Sequence, residues 1–144
     1  MAKGKPRSSK GLAALCAQAA DDKKALDIMM LDLTELDSAP SDFFVICTCQ
    51  SEPQLSAVVL EIQKQTKEVK VPHPRVEGLD GMEWAIIDYF DVVVHVMLEN
   101  ARKYYKLEKL WADASFSTLT ETGSTRKLKQ KELMAFIMGD ESAL

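Results

Sequence analysis

Apolar residues are spaced along this chain in patterns that predict both strands and helices. Residues 25–33 (ALDIMMLDL) form a first apolar run, which predicts a strand. Residues 43–49 (FFVICTC) are continuously apolar, which is typical of a central strand buried on both faces. A helix is predicted over 52–68, with Ser51 as its N-cap and the side chain of Gln54 reaching back to complete a capping box.

Further elements precede and follow this strand–helix pair. An amphipathic helix is predicted over 12–19. A short strand is predicted at 75–77, and the two prolines before it confine it to a sheet edge. Residues 79–98 predict two strands joined by a tight turn, and residues 99–114 predict one helix. Because strands and helices alternate and a hairpin follows, we expect an α/β domain with a mixed β-sheet and packed helices.

Three segments are predicted along the chain. Residues 1–10 are expected to form a flexible basic tail, residues 11–114 the folded domain, and residues 115–144 a C-terminal extension. Within the extension, residues 115–125 (SFSTLTETGST) have the composition of a linker, and residues 126–138 predict a short amphipathic helix.

Composition narrows the class of protein. The chain has 144 residues, of which 47% are hydrophobic and 28% charged, as is typical of a soluble globular protein. No apolar run approaches the roughly 20 residues of a transmembrane helix, and no apolar segment follows the basic N-terminus as it does in a secretory signal. The three cysteines are an odd number, so reduced thiols and a cytoplasmic location are expected.

Charge is distributed unevenly along the chain. Residues 1–10 carry four basic side chains and no acidic ones, whereas residues 11–113 carry ten basic and eighteen acidic side chains, a net charge of −8. An acidic domain repels the phosphates of nucleic acid. We therefore expect a basic protein partner, with direct nucleic-acid contact confined to the N-terminal tail.

The predicted hairpin carries polar side chains on one face. If Asp88 lies opposite Asp91 across the turn, Trp84 lies opposite His95 on the same face, and the other face is a plain apolar core. Like charges directly opposite each other are destabilising, so the two carboxylates are expected to meet a cationic partner, a set of hydrogen-bond donors or a metal. His95 is either paired with a nearby carboxylate or a contact residue.

Catalytic and metal-binding chemistry is not favoured by these residues. A nucleotidyl transferase needs two carboxylates at Asp-x-Asp spacing after a Gly-Ser turn, whereas here the spacing is Asp-x-x-Asp without that turn. Cys47 or Cys49 could form a thiol–imidazole pair with His95, but a cysteine in an apolar strand is more often structural. The Cys-x-Cys pair lacks a second pair of zinc ligands. No catalytic, metal-binding or cofactor-binding residue is predicted.

The predicted helix over 99–114 is aromatic on more than one face. Tyr104 and Trp111 share a face, and Tyr105 lies beside it. These side chains either belong to the core or leave an apolar surface exposed. Exposed apolar patches mark interaction sites, and Trp and Tyr are favoured anchors there.

Three stretches closely resemble the ribosomal silencing factor family, also called Iojap-like: RVEG (75–78), WAIIDYFDVVVHVM (84–97) and ARKYYKLEKLWADA (101–114). The resemblance extends from about Ala20 to Ala114. It implies an α/β fold similar to that of nucleotidyl transferases, without their catalytic set and without a cofactor. It also implies binding to the large ribosomal subunit through ribosomal protein L-fourteen, which sterically blocks joining of the small subunit and represses translation in starvation or stationary phase.

Carried over position by position, the resemblance implies a protein-binding surface on the hairpin and the helix after it. Its residues would be Trp84, Asp88, Tyr89, Asp91, His95, Tyr104, Tyr105 and Trp111. The chain departs from the family at the hairpin turn, where Phe90 replaces the usual glycine. It departs again at the start of the second helix, where SEPQ (51–54) lacks the usual arginine.

Two other functions stay open at this point. A large-subunit assembly factor would bind the same particle without silencing it. A nucleotidyl-transferase-like enzyme would need the carboxylate pair that this chain lacks. An apolar face that awaits a partner would also allow a weak homodimer of the free protein, and no membrane partner is expected.

Overall fold

The chain forms a seven-stranded mixed sheet with helices on both faces, in a computed structural model that describes residues 4–139. The strands are β1 (Leu26–Asp32), β2 (Phe43–Cys49), β3 (Arg75–Glu77), β4 (Trp84–Asp88), β5 (Val92–Leu98), β6 (Ser115–Leu119) and β7 (Thr125–Lys127). The helices are α1 (Ser9–Asp22), α2 (Glu52–Glu68), α3 (Glu99–Tyr105), α4 (Leu107–Leu110) and α5 (Gln130–Ile137). The strand order is β3-β4-β5-β2-β1-β6-β7, which confirms the expected α/β fold class.

Strand β2 lies at the centre of the sheet, and all seven of its residues are buried, as predicted. It pairs in parallel with β5, and the other pairings in the sheet are antiparallel. Its side chains alternate between two core clusters, with α1 and α2 packed on one face and residues of α3, α4 and α5 on the other. This two-sided burial explains why the sequence of β2 is continuously apolar.

Helix α2 has the predicted bounds, and its N-terminus is capped by Ser51. The Ser51 hydroxyl accepts a hydrogen bond from the backbone N–H of Gln54 at 3.2 Å. The side chain of Gln54 reaches back one residue further than predicted, because its amide oxygen accepts from the backbone N–H of Gln50 at 2.8 Å. Its amide nitrogen donates to the carbonyl of Lys23 at 3.1 Å, which ties α2 to the chain after α1.

The single helix predicted over 99–114 is wrong, because the helix is broken at Lys106. That residue has a φ of 48°, in the left-handed region, so α3 ends there and the short helix α4 starts directly after it. The break brings Arg102 of α3 and Glu108 of α4 into a buried ion pair, which helical periodicity does not foresee.

The linker predicted over 115–125 is also wrong, because this segment extends the sheet. β6 pairs with β1 and β7 pairs with β6, both antiparallel. Phe116 of β6 is only 2% exposed and packs in the same cluster as Leu133 of α5. The Ser and Thr content of β6 suggested a loop, but its alternation puts Phe116 inside and polar side chains at the surface. The amphipathic helix predicted over 126–138 is confirmed in α5, which is shorter.

The predicted N-terminal tail is partly helical. α1 begins at Ser9, and the Ser8 hydroxyl caps it by accepting from the backbone N–H of Gly11 at 3.0 Å. The first three residues of the predicted tail lie outside the described residues. Over residues 4–139, none of the helices combines the length and the apolar character that crossing a membrane requires.

Candidate partner-binding surface

The β4–β5 hairpin has a different register from the predicted one. Ile86 pairs with His95 and Trp84 pairs with Met97, so the expected pairing of Trp84 with His95 is wrong by two positions. Asp88 pairs with Val93 and not with Asp91. Because side chains alternate with a period of two, a shift of two positions leaves each of them on its predicted face. Trp84 and His95 therefore still share one face of the sheet.

The hairpin turn is wider than predicted, and Asp88 stabilises it. The Asp88 carboxylate accepts a hydrogen bond from the backbone N–H of Phe90 at 2.7 Å. Phe90 has a φ of 75° and is 84% exposed, so it adopts the left-handed conformation that a glycine would adopt without strain. The carboxylate of Asp91 is exposed, while its carbonyl accepts from the backbone N–H groups of Asp42 and Phe43 at 2.9 and 3.1 Å. The predicted pair of facing carboxylates is replaced by one turn-forming aspartate and one exposed aspartate.

Tyr89 lies on the opposite side of the sheet from Trp84. Its hydroxyl is 2.7 Å from the hydroxyl of Thr66 on α2, and its ring packs against the core cluster beneath α1 and α2. Burial raises the pKa of Tyr89. Tyr89 therefore does not share a continuous surface with Trp84, contrary to the expectation for the eight residues.

His95 is buried and holds the indole of Trp84. The Trp84 indole N–H donates to Nδ1 of His95 at 3.1 Å, which places the imidazole proton on Nε2. His95 is 6% exposed, and burial lowers its pKa from 6.5 to about 4, so it is neutral at physiological pH. The expected pairing of His95 with a carboxylate is wrong, because its partner is the Trp84 indole, and its role in contact with a protein partner stays a prediction. Its Nε2 has no hydrogen-bond partner among residues 4–139.

Two exposed tyrosines continue from Trp84 and form an aromatic surface beside the hairpin. The ring of Tyr105 lies 4.8 Å from that of Trp84 and 4.9 Å from that of Tyr104, between ring centroids. Trp111 is linked to Trp84 through two intervening rings. Its ring centroid lies 5.6 Å from that of Phe44, and the Phe44 centroid lies 4.7 Å from that of His95. We call Trp84, Tyr104, Tyr105 and Trp111 the aromatic patch. Tyr104 is 79% exposed and Tyr105 47%, whereas Trp84 and Trp111 are half-buried against the core. The patch is therefore an apolar surface at its two tyrosines and is anchored in the core by its two tryptophans.

Three residues beside the patch were missed by sequence reasoning. Leu110 of α4 is 73% exposed next to Trp111 and was not among the eight expected binding residues. Arg102 and Glu108 are 4% and 2% exposed, whereas charged residues in a helix are ordinarily solvated. The only signal for all three was their place within the stretch 101–114 that resembles the family.

The acidic turn lines a cleft that also contains basic side chains. Asp42 and Asp91 lie in this cleft of about 620 Å³ with Lys5, Arg7 and Arg75. We call it the turn cleft. The turn cleft therefore brings acidic and basic side chains of the chain together.

The thiol–imidazole pair considered from the sequence does not form. Cys47 and Cys49 point into the core cluster under α1 and α2, whereas His95 lies on the other face of the sheet with Phe44. A hydrogen bond with Cys49, together with burial, raises the pKa of the Cys47 thiol, so it is poorly suited to nucleophilic attack. Among residues 4–139, three or more His, Cys, Asp or Glu side chains do not gather in any arrangement that could hold a metal ion.

Residues 6–136 match the sequence model of a protein family described as "Ribosomal silencing factor during starvation". The chain belongs to the ribosomal silencing factor family. The match extends beyond the stretch 20–114 on which the resemblance rested, and it includes β6, β7 and most of α5.

Individual members of the ribosomal silencing factor family are similar over most of their length. The chain is 40% identical over 112 residues to ribosomal silencing factor RsfS of Bacillus subtilis, which covers 78% of this chain and 94% of that protein. It is 42% identical over 107 residues to the RsfS of Halalkalibacterium halodurans, covering 74% of this chain and 91% of that protein. A crystal structure of a Chromobacterium violaceum protein superimposes with a TM-score of 0.69 at 35% identity, covering 73% of this chain and 87% of that one.

Proposed function

We propose that this chain is a ribosomal silencing factor that binds the large ribosomal subunit through ribosomal protein L-fourteen. Bound there, it sterically blocks joining of the small subunit and represses translation in starvation or stationary phase. The proposal rests on the aromatic patch beside the hairpin, whose tyrosines are exposed in this member of the ribosomal silencing factor family. The proposed place of action is the cytoplasm, where the two subunits meet.

The patch has the composition of a protein-binding anchor. Trp and Tyr are enriched among the residues that dominate interface energetics, and Tyr104 and Tyr105 present their rings to solvent. The net charge of −8 over residues 11–113 favours encounter with a basic ribosomal protein, because complementary potentials speed association. A standard interface buries about 1,200–2,000 Å² in total, of which this domain would supply about half.

Steric exclusion requires neither a catalytic residue nor a cofactor, and we propose that this chain uses neither. The buried thiols lie across the sheet from His95, and the carboxylates of the hairpin turn serve the turn and the turn cleft. The relatives are named as ribosomal silencing factors and not as enzymes.

A second candidate function is assembly of the large subunit without silencing. It is favoured by a mouse relative named "Mitochondrial assembly of ribosomal large subunit protein 1", which is 38% identical over 79 residues. That match covers 53% of this chain and 35% of the mouse protein. Both functions use the same partner, so they differ only in whether binding separates joined ribosomes.

Sedimentation of ribosomes tests the proposal. Adding the protein to joined ribosomes of Bacillus subtilis, at the magnesium concentration at which they just stay together, should increase the free subunits. The protein should sediment with the large subunit and not with the small one. Binding without any increase in free subunits would favour the assembly role, and failure to bind either subunit would refute both.

A matched pair of variants makes the experiment specific. Tyr104→Ala removes a ring that is 79% exposed from the aromatic patch, whereas Leu60→Ala removes a side chain that is 64% exposed on α2, across the sheet. Tyr104→Ala should reduce co-sedimentation and Leu60→Ala should not. The same pair tests a weak homodimer of the free protein through this patch, because only Tyr104→Ala should then lower the apparent mass at high protein concentration.

A further inference from the structure

The charged residues beside the aromatic patch form a buried ion pair that joins four elements. Nε of Arg102 in α3 donates to the Glu108 carboxylate in α4 at 2.6 Å, and both side chains are 3% exposed. Nη1 of Arg102 donates to the carbonyl of Asp27 in β1 and, at 2.9 Å, to the hydroxyl of Thr48 in β2. One guanidinium thus fastens the α3–α4 segment to two strands of the sheet.

The ion pair spans the break between the two helices. Lys106, with its φ of 48°, lies between Arg102 and Glu108, and its N–H closes α3 by donating to the Arg102 carbonyl at 3.2 Å. Tyr104 and Tyr105 lie in the last turn of α3, within the span that the pair closes. The backbone conformation at this break sets the orientation of the last turn of α3. The contact between the rings of Tyr105 and Trp84, at 4.8 Å between centroids, therefore depends on that conformation.

Stability alone does not explain why these two charges are buried. Moving two ions out of water carries a desolvation cost that their attraction repays only with good geometry, and an apolar pair of similar volume is often neutral or stabilising. A buried ion pair is able to specify geometry, because its hydrogen bonds form in one arrangement whereas apolar side chains pack in many. In Arg102, Nε and Nη1 are hydrogen-bonded, and Nη2 has no partner among residues 4–139.

We propose that Arg102 and Glu108 are positioning residues for binding of the large subunit: without touching the partner, they hold the break at Lys106 and so fix the aromatic patch in its binding arrangement. This inference rests on the proposed function. Because both side chains are buried, their effect on binding passes through Tyr104, Tyr105 and Trp84.

The principal test replaces the ion pair by an apolar pair. The double variant Arg102→Met with Glu108→Leu should stay folded, with a Tm close to that of the original protein, and should bind the large subunit at least about tenfold more weakly. The matched control makes the same two substitutions in the surface pair of exposed Arg126 and half-buried Glu132, which are joined by hydrogen bonds of 3.1 and 3.2 Å. The control should bind as the original protein does.

A second readout needs no ribosome. The Trp84 indole N–H gives an NMR signal whose position depends on its bond to His95 and on the ring of Tyr105, 4.8 Å away. Trp111→Phe assigns this signal, because the chain has two tryptophans. The signal should move in the Arg102/Glu108 double variant and stay in place in the control.

The two readouts separate the inference from the proposed function. If the original protein fails to bind, the proposed function is wrong and the indole signal still tests the positioning. If binding is unchanged in the double variant, the inference is wrong, whether or not the signal moves.

A second pair of variants applies if the double variant does not fold. Glu108→Gln keeps an oxygen acceptor for Arg102 Nε and should retain affinity within about threefold. Glu108→Ala should lose affinity by at least about tenfold. Equal affinities of these two folded variants would overturn the inference.

Discussion

The indole N–H of Trp84 donates to Nδ1 of His95, and this bond joins an interface candidate to a buried imidazole. His95 is 6% exposed, so its contribution to partner binding passes through the orientation of Trp84. Partner contact by Trp84 and His95 stays a prediction, and the burial of His95 places Trp84 between the imidazole and the surface. The hydrogen bond also makes the patch sensitive to the protonation state of one group beneath it.

Acidification should destabilise the fold through His95. Burial lowers the folded-state pKa to about 4, below the ordinary 6.5, so protonation favours the unfolded chain. The stability from this group is present in full above pH about 6.5 and is lost as the pH falls toward 4, with a total of about 3 kcal/mol. Urea unfolding between pH 7 and pH 4 measures it. His95→Leu should show a smaller decrease over that range, and equal decreases for the two proteins would contradict the assignment.

Trp84→Ala should affect binding more than stability. An aromatic anchor at the centre of an interface contributes roughly 2 kcal/mol or more to affinity. Trp84 is only half-buried, so the free energy of unfolding should fall by less than the ~3–5 kcal/mol typical of a fully buried aromatic. Leu60→Ala on α2 is the control for both measurements. A Trp84→Ala protein that is unfolded at 25 °C would show that the indole is part of the core.

The two aspartates of the hairpin turn should behave differently. Asp88→Ala removes the acceptor for the Phe90 N–H and should lower the free energy of unfolding by about 1 kcal/mol. Asp91→Ala should leave stability nearly unchanged, because its structural bonds use the backbone carbonyl. Asp91→Asn should weaken binding to the large subunit and make it less dependent on salt, since one screened attraction is lost. Thermal melts and binding titrations at two salt concentrations measure these effects, and equal losses of stability would refute the distinction.

Phe90→Gly should stabilise the free protein. A residue with a side chain at a φ of 75° is strained, and glycine relieves that strain at the cost of added freedom in the unfolded chain, so the expected net gain is up to about 1 kcal/mol. Phe90→Ala removes the same exposed ring without relieving the backbone, so it should give no gain. If both variants also bind the large subunit more weakly, the ring is an additional contact. A loss of stability in Phe90→Gly alone would show that the turn is not strained.

The sequence predicted elements whose burial is continuous or periodic, and it failed where polar atoms decide the geometry. β2 was predictable because seven consecutive residues with little polar character fit a strand that is buried on both faces. α2 was predictable because an apolar stripe behind an N-cap fits a helix that packs on one face. The register of β4 and β5 was not predictable. It depends on the hydrogen bond from the Phe90 N–H to the Asp88 carboxylate and on the positive φ of Phe90, a conformation more typical of glycine.

Burial of polar side chains was the other gap. Nη1 of Arg102 donates to the carbonyl of Asp27, 75 residues earlier in the chain, and the local sequence pattern carries no information on such a contact. The burial of His95 was also not foreseen. Its hydrogen-bond partner, Trp84, lies on the neighbouring strand, but the indole was expected to face solvent. The sequence left open whether the aromatic residues of 99–114 are core or exposed, and the structure exposes Tyr104 and Tyr105. Their part in partner binding stays a prediction.

The burial of all three thiols makes the protein directly suitable for site-specific labelling. Cys16, Cys47 and Cys49 are fully shielded from solvent, and burial raises the pKa of Cys16 to about 12, so almost none of it is ionised at neutral pH. The hydrogen bond with Cys47 lowers the pKa of Cys49, so the protection of that thiol rests on its burial. A single cysteine introduced at an exposed position such as Leu60 should therefore react with a maleimide dye faster than the buried native thiols. A dye at that position, across the sheet from the aromatic patch, would report the orientation of the bound domain on the ribosome by energy transfer.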